Sequence, residues 1–241
     1  MRFVFIGHGR LAQHFSTYLQ NQGHQSLIWS RRSDSKLPDV IQTTDVLCLS
    51  MSDSDLPRWS EHLKELFPFN TIVHFSGALN LPGIFSFHPL VSFSHEFYNP
   101  EFYRTIPIVG VLGQPAFDEI FSGLENPYYE ISADHKTMYH ALVSMAANFP
   151  QLLWKEIAGE LHQKLNLDFE LLRPLLQKSL ENSLRFPNTA PTGPIVRNDR
   201  HTIYKHLAVV DRQDLRHIYY SFLDLNKKIS IQPTEVNHDA R

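Results

Sequence analysis

The stretch MRFVFIGHGRLAQHFSTYL (residues 1–19) decides how the rest of the chain is read. An apolar run, Phe3–Ile6, stops at Gly7-His8-Gly9-Arg10-Leu11-Ala12, and a helical pattern begins at once. Gly7-x-Gly9-x-x-Ala12 has the spacing of a dinucleotide-binding turn. The first glycine permits the tight turn, the second lets the backbone approach a pyrophosphate without an intervening Cβ, and the small third residue lets helix and strand pack closely. The helix N-terminus then offers free N–H groups and a partial positive charge to phosphates. Alone, such a motif is unspecific. Here a strand precedes it, a helix follows, and a second strand comes close behind. The competing reading is a glycine-rich turn in an α/β fold that holds no ligand.

The end of the second strand discriminates between dinucleotides. An NAD site usually places Asp or Glu there for the ribose 2′-hydroxyl. This chain has Ser30-Arg31-Arg32 instead. Guanidinium groups bind a 2′-phosphate bidentately and stack on adenine, so NADP(H) is the expected cofactor and a solvated basic turn is the alternative. The expected cofactor contacts are Gly7, His8, Gly9, Arg10 and Leu11 in the turn, and Ser30, Arg31 and Arg32 after the second strand. Ser50 and Met51 join them from the loop Ser50-Met51-Ser52-Asp53, as do Ser76 and Gly77 after a later strand.

Outward from the motif, the first half alternates strand-like segments (Phe3–Ile6, Ser26–Trp29, Val46–Ser50, Thr71–Phe75, Ile106–Val111) with helical ones (Arg10–Gln22, about Asp53–Leu66, Pro115–Leu124). The strands are short, β-branched or aromatic, and lack clean alternation, as strands buried on both faces do. An open, mostly parallel Rossmann-like α/β sheet is expected. The second half reads as helices. SADHKTMYHALVSMAANFPQLLWKEIAGELHQKL is one long helix, with Ser132 or Asp134 as a cap and a kink or break at Pro150. DFELLRPLLQKSLENSLRF, NDRHTIYKHLAVV and RQDLRHIYYSFLDLNKKI are three more, PNTAPTGP is a loop, and the tail from about Ser230 is polar and frayed. The domain reading is residues 1–127 for an α/β cofactor domain and 128–241 for an all-α substrate and dimerisation domain.

Composition sets the bounds. The chain has 241 residues, 42% hydrophobic and 20% charged, with a formal net charge of -3. There is no long block of one sign, which argues against nucleic acid or an anionic membrane as the main partner. The single cysteine, Cys48, precludes an internal disulfide, reads as a buried strand residue in DVLCLS, and fits the cytoplasm. No run of about 18 apolar residues suggests a membrane span, and the strand at the N-terminus leaves no room for a signal peptide. The 14 histidines form no HExxH or HxH spacing, so no metal is expected. P-loop, G-x-S-x-G and kinase signatures are lacking.

Reducing a carbonyl needs a proton or hydrogen-bond donor at its oxygen, an orienting contact, and exclusion of water. His140, Ser144 and Asn148 recur every four residues and share one face of the long helix. They fit either a helix–helix hydrogen bond in the core or a catalytic cleft, with histidine a suitable acid near neutral pH. Lys136, one turn earlier, is a second-choice acid or simply a solvated helix end. Ser76, Gly77 and His88 are candidates near the sheet edge. His88 precedes a proline, which bars it from helical conformation, and it either lines the cleft or satisfies a loop carbonyl. Thr192 and Arg197 lie around a Gly-Pro turn before a helix capped by Asn198 or Asp199. Arg197 suits a substrate carboxylate, or else pairs structurally with Asp199 or His201.

Taken in order, IGHGRLA, HFSGAL, FHPLVSF, YHALVSMAANF and TGPIVRNDRHTIYKHL resemble a bacterial family that pairs a Rossmann-like NADP-binding domain with a C-terminal helical domain of formerly unknown function. The resemblance runs from Phe3 to about Leu207. That family is related to 6-phosphogluconate dehydrogenase-like and ketopantoate reductase-like proteins, and some members resemble an alternative ketopantoate reductase of pantothenate synthesis. The resemblance implies NADP(H), a helical domain closing the cleft, and a homodimer. Two departures stand out. The wider superfamily typically uses a lysine and an asparagine on the helix facing the nicotinamide, where this chain has His140 and Asn148. The family's glycine after the arginine is Asn198. The expected function is NADPH-dependent reduction of a small 2-oxo acid, ketopantoate first. The rivals are a non-catalytic NADP-binding regulator and a cyclic imine reductase resembling pyrroline carboxylate reductase.

Overall fold

Phe3, Val4, Phe5 and Ile6 are all buried, which only a strand covered on both faces permits. The computed structural model describes residues 1–33, 36–67 and 71–226. The strands are β1 (Arg2–Ile6), β2 (Gln25–Trp29), β3 (Val46–Leu49), β4 (Thr71–His74), β5 (Phe85–Pro89), β6 (Ile108–Val111) and β7 (Tyr128–Ile131). The helices among them are α1 (Arg10–Asn21), α2 (Leu37–Ile41), α3 (Leu56–Leu66), α4 (Pro100–Thr105) and α5 (Phe117–Ile120). Helices α6 (Lys136–Leu165), α7 (Arg173–Arg185), α8 (Pro194–Arg197), α9 (Arg200–Val209) and α10 (Gln213–Asn226) follow. The described residues of the tail end at Asn226, so the polar segment from Ser230, and Lys227–Ile229 of the last expected helix, lie outside them.

The sheet runs β2-β1-β3-β4-β5-β6-β7. Every pairing is parallel except β5 with β6. Successive residues of β1 feed two cores. Phe3 and Phe5 join Cys48, Val73, Phe87, Phe15, Tyr18 and Phe121 on one face, while Val4 and Ile6 join Leu47, Leu49, Ile41, Leu56 and Leu63 on the other. That period-two division over an unbroken apolar run is the signature of a two-sided parallel sheet. Cys48 is fully buried in β3, as expected, and burial holds its thiol well above the ordinary range.

The expected Rossmann-like architecture, followed by helices, is what the chain forms. Its details differ in several places. β5, β7, α2 and α4 went unread because each is short and carries few of the residues that mark its class: β5 is Phe-Ser-Phe-His-Pro. The helix expected over Pro115–Leu124 is confined to Phe117–Ile120. Neither Ser132 nor Asp134 caps the long helix through its side chain. Ser132 instead precedes a short 3-10 turn, Ala133–His135, that leads into α6.

Pro150 does not end α6, which is continuous to Leu165. The proline removes one N–H donor. Next to it, the Gln151 Nε2 donates to the Ala147 carbonyl at 3.0 Å, and one lost bond is small within a helix of 30 residues.

The boundary expected after residue 127 also moves. β7 lies beyond it and pairs with β6, and the chain divides into compact units at Met1–Lys155 and Glu156–Arg241. The pattern of the sequence changes at Pro127, whereas the sheet unit takes in one more strand and the first part of α6.

In the second unit, Ile203, Leu207 and Leu223 form a small core with Ile195, Tyr204, Tyr219 and Tyr220 against it. Arg212 pairs with Glu156, Glu160 and Asp214. Asp199 caps α9, accepting the Thr202 N–H at 3.1 Å. Asn198 takes the left-handed conformation with φ 57. Asparagine tolerates that region better than most residues, so it holds a turn that would suit the glycine of the resembled family. Among the described residues no helix is long and apolar enough to cross a membrane.

Candidate functional site

Open parallel sheets bind ligands at the carboxyl ends of their strands, where the strand order reverses. That point lies here between β1 and β3, and Gly7 and Ser50 meet there. Ser50 N–H donates to the Ile6 carbonyl at 3.0 Å. Gly7 has φ +123, and a Cβ on it would stand 2.2 Å from the Ser50 carbonyl oxygen. Only glycine closes this turn. Gly9 differs: its φ is -78, and a Cβ there would meet nothing within 4 Å. The space over Gly9 is open, directly at the N-terminus of α1. That helix has no side-chain cap and no acidic residue in its first turn. Ala12 is fully buried beneath it. Each glycine-motif position therefore has its expected form, and the free helix N-terminus suits a pyrophosphate.

Two cavities flank this turn and share Gly7, His8 and Met51. One, of about 730 Å³, is lined by Trp29, Ser30, Arg31, Arg32, Asp55 and Trp59 besides these. Ser30 shapes its rim by accepting the Arg32 N–H on its Oγ at 3.3 Å. Arg31 and Arg32 are exposed, and among the described residues neither guanidinium has a hydrogen-bond or ion-pair partner. Trp29 and Trp59 stand edge to face with centroids 6.3 Å apart. The other cavity, of about 620 Å³, is lined by Gly9, Arg10, Leu11, Ser50, Val91, Phe93 and Asn148 besides the shared residues. Arg10 donates to the Phe93 carbonyl at 3.0 Å, so it also anchors the loop that walls this cavity. The exposed guanidinium groups and the open helix N-terminus between them and Asn148 are groups that would suit the phosphates of NADP(H).

A cluster of ionisable residues stands at the carboxyl ends of β4 and β5. Lys136 is not a solvated helix end: it is 2% exposed. Its ammonium donates to the Ser76 carbonyl at 2.9 Å and to the Ser86 hydroxyl. Burial lowers its pKa to about 8, partly offset by the Asp53 charge. Above it, Gly77 faces two imidazoles. A Cβ on Gly77 would stand 2.5 Å from His140 and 3.1 Å from His88. The two rings lie 5.7 Å apart, nearly perpendicular. Among the described residues His88 bonds no loop carbonyl; its Nδ1 lies 2.8 Å from the Tyr139 hydroxyl. Burial, then His140 and Lys136, push His88 down to about 4. His74 is fully buried, its Nδ1 accepts the Ser76 N–H at 3.2 Å, and burial with the Lys136 charge lowers it to about 3.

The sites expected from the sequence separate as follows. The cofactor residues Gly7, His8, Gly9, Arg10, Leu11, Ser30, Arg31, Arg32, Ser50 and Met51 line the paired cavities, with Asn148. His140 joins Gly77 and His88 instead. Ser144 is half-buried between these two groups along α6. Ser76 spends its hydroxyl on the N–H groups of Ala78 and Leu79, so it shapes a turn. Thr192 and Arg197 are exposed on the second unit. Arg197 forms no ion pair with Asp199 among the described residues, Asp199 being engaged with Thr202. Sequence reading missed Trp59, Phe93, His74 and Tyr139, and mistook the burial of Lys136. Among the described residues no group of three or more His, Cys, Asp or Glu could hold a metal ion.

Residues 113–224 match the family model described as "Domain of unknown function (DUF2520)". Among solved structures, the chain is similar to a protein provisionally named an NADP oxidoreductase from Bacteroides fragilis, at 21% identity and TM-score 0.73, covering 95% of this chain and 98% of that one. A Thermotoga maritima protein is similar at 19% identity and TM-score 0.69, covering 93% and 96%. Plasmodium falciparum pyrroline carboxylate reductase with NADP bound is similar at 12% identity and TM-score 0.57, covering 94% and 90%. No curated protein matches the sequence. At these identities the structural likeness establishes the fold: a Rossmann-like sheet followed by a helical C-terminal region.

Two outcomes follow. Gly7→Ala should cost roughly 2 kcal/mol or more of stability, because it combines a positive φ with a backbone collision. Gly9→Val should melt like the wild type and lose dinucleotide affinity, and calorimetry on both variants checks the contrast. As for pH, His74 and His88 are depressed below their unfolded value of 6.5, so the unfolded chain binds protons that the folded chain refuses. Their contribution is complete above pH 6.5 and is lost as pH falls toward about 4 and then 3. Urea titrations should show that loss, with a shallower slope in His74→Gln.

Proposed function

We propose that the chain is an NADPH-dependent reductase of a small 2-oxo acid, with ketopantoate (2-dehydropantoate) the leading candidate substrate. The observation that carries this reading is the pair of cavities meeting at Gly7 and His8, with exposed Arg31 and Arg32 at one end and Asn148 at the other. Arginines in place of an acid at the end of β2 favour a 2′-phosphate. The provisional name of the Bacteroides fragilis relative and the NADP bound to the Plasmodium reductase agree with that cofactor. When bound, the reduced nicotinamide supplies a hydride to the carbonyl carbon. Asn148 and His140 hold and protonate the oxygen.

A non-catalytic NADP-binding regulator explains the cavities but not the cluster. Burying a lysine and two histidines at the ligand edge of a sheet costs stability, and such groups concentrate where chemistry is done. A cyclic imine reductase is the second reading, favoured by the likeness to pyrroline carboxylate reductase. Against it stands the Lys136 ammonium under Gly77: a buried cation disfavours a protonated imine and favours developing negative charge on a carbonyl oxygen.

The helical region supports a homodimer. No residue of α7 is buried, and an isolated helix of its length is marginal in water. On α6, Met138, Leu142, Met145, Phe149 and Leu152 recur at three- and four-residue spacing and are each more than half exposed. A second copy of the chain would cover this stripe.

NADPH oxidation followed at 340 nm should be rapid with ketopantoate and slow with pyrroline carboxylate. Tight NADPH binding without oxidation of any 2-oxo acid would overturn the reductase. Arg31→Asp with Arg32→Ala should weaken NADPH far more than NADH, and equal losses would remove the 2′-phosphate assignment. Sedimentation should give a dimer for the wild type and a smaller species for Leu142→Arg. A monomeric wild type would refute the homodimer.

A further inference from the structure

We propose that Tyr139 and His88 work as one device, in which Tyr139 donates its hydroxyl proton to His88 Nδ1, so that neutral His88 presents Nε2–H beside Gly77 as the hydrogen-bond donor to the substrate carbonyl oxygen. The proposal rests on the reductase reading and deepens it: Tyr139 becomes a positioning residue, and His88 a catalytic residue distinct from the acid His140.

The geometry brings the two groups into hydrogen-bond contact, and we assign the direction. Tyr139 and His88 are 2.8 Å apart through Nδ1, with their rings at 83°. Burial pushes the Tyr139 phenol up to about 12, so it keeps its proton and has one to donate. His88 is held neutral by burial and by the charges that reach it from α6, His140 and Lys136. On the sheet side, its strand neighbour Ser86 pairs with His74, which is also held neutral. A neutral imidazole carries one N–H. With Nδ1 accepting from Tyr139, that proton is on Nε2.

Nε2 is one of the two His88 atoms nearest to a Cβ built on Gly77, at 3.1 Å. It has no protein partner among the described residues, and it is not among the sealed polar atoms of the core. The absence of a Cβ at Gly77 therefore lets both imidazoles close on the turn, with the unsealed His88 Nε2 beside His140. A neutral imidazole is a good electrophile for a carbonyl that gains negative charge, because it polarises the oxygen without losing its own proton. The balance is simple. The carbonyl carbon takes the hydride from the reduced nicotinamide, the oxygen takes a proton from His140, and His88 keeps its N–H throughout.

The test uses full-length protein labelled with ¹⁵N-histidine, read by long-range ¹H–¹⁵N correlations at pH 7, with His88→Gln as the assignment control. His88 should show the Nε2–H tautomer in the wild type and lose that preference in Tyr139→Phe, which keeps the aromatic ring. Tyr139→Phe should lower kcat about 10- to 100-fold with KM little changed, the usual penalty when the partner orienting a histidine is removed. His88→Gln, which retains an N–H donor, should keep more activity than His88→Ala. A wild-type His88 that is an Nδ1–H tautomer or an imidazolium at pH 7 overturns the proposal, as does a tautomer unchanged in Tyr139→Phe. The tautomer is read without turnover. A protein with the Nε2–H tautomer that reduces no carbonyl therefore defeats the reductase reading, whereas active enzyme with the wrong tautomer defeats only this proposal.

Discussion

The Lys136 ammonium is the constraint around which the ligand edge of the sheet is organised. It is the first residue of α6, and it bonds the Ser76 carbonyl after β4 and the Ser86 hydroxyl within β5. One buried amine thus ties the start of the longest helix to two strands. A buried ammonium is tolerated only when its hydrogen bonds are met, so the turn at Ser76-Gly77 and the beginning of α6 are held together. That register determines which α6 residues come over the turn. His140, one turn on, reaches Gly77, and Asn148, two turns further, reaches the cavity at Gly9. Burial discourages protonation of His74 and His88, and the same charge adds to it. The lysine that sets position therefore also contributes to the electrostatics.

The glycine turn is the second organising element, and it depends on a different force. Gly7 is excluded from any other identity by contact with the Ser50 carbonyl, whereas Gly9 is surrounded by space. The first glycine serves the fold, and the second leaves the helix N-terminus open. A motif of three small residues thus divides its labour between packing and access.

Much of this was legible in the sequence. The strand–GHGRLA–helix order and the arginines after β2 carry their own local physics, so the turn and the residues lining the cavities beside it could be picked out from the sequence. The four-residue spacing of His140, Ser144 and Asn148 correctly put them on one side of α6. What the sequence concealed was long-range. Nothing in Phe-Ser-Phe-His-Pro announces β5, because its polar residues face a site rather than solvent. Lys136 looked solvated because its acceptors lie 50 and 60 residues away. The importance of Tyr139 depends on His88, which is 51 residues distant. Local periodicity shows faces of elements; it does not show which faces meet.

Cys48 lies in β3, between β1 and β4, with no exposed surface, and it is the chain's one thiol. A thiol reagent reaches it only after the strands part, and burial keeps it from ionising to the reactive thiolate. The protein thus carries a built-in clock for the opening of its sheet. The rate at which Cys48 accepts a label counts the molecules whose central strand has come loose, and a ligand seated across the ends of β1 and β3 would slow that clock without touching the sulfur.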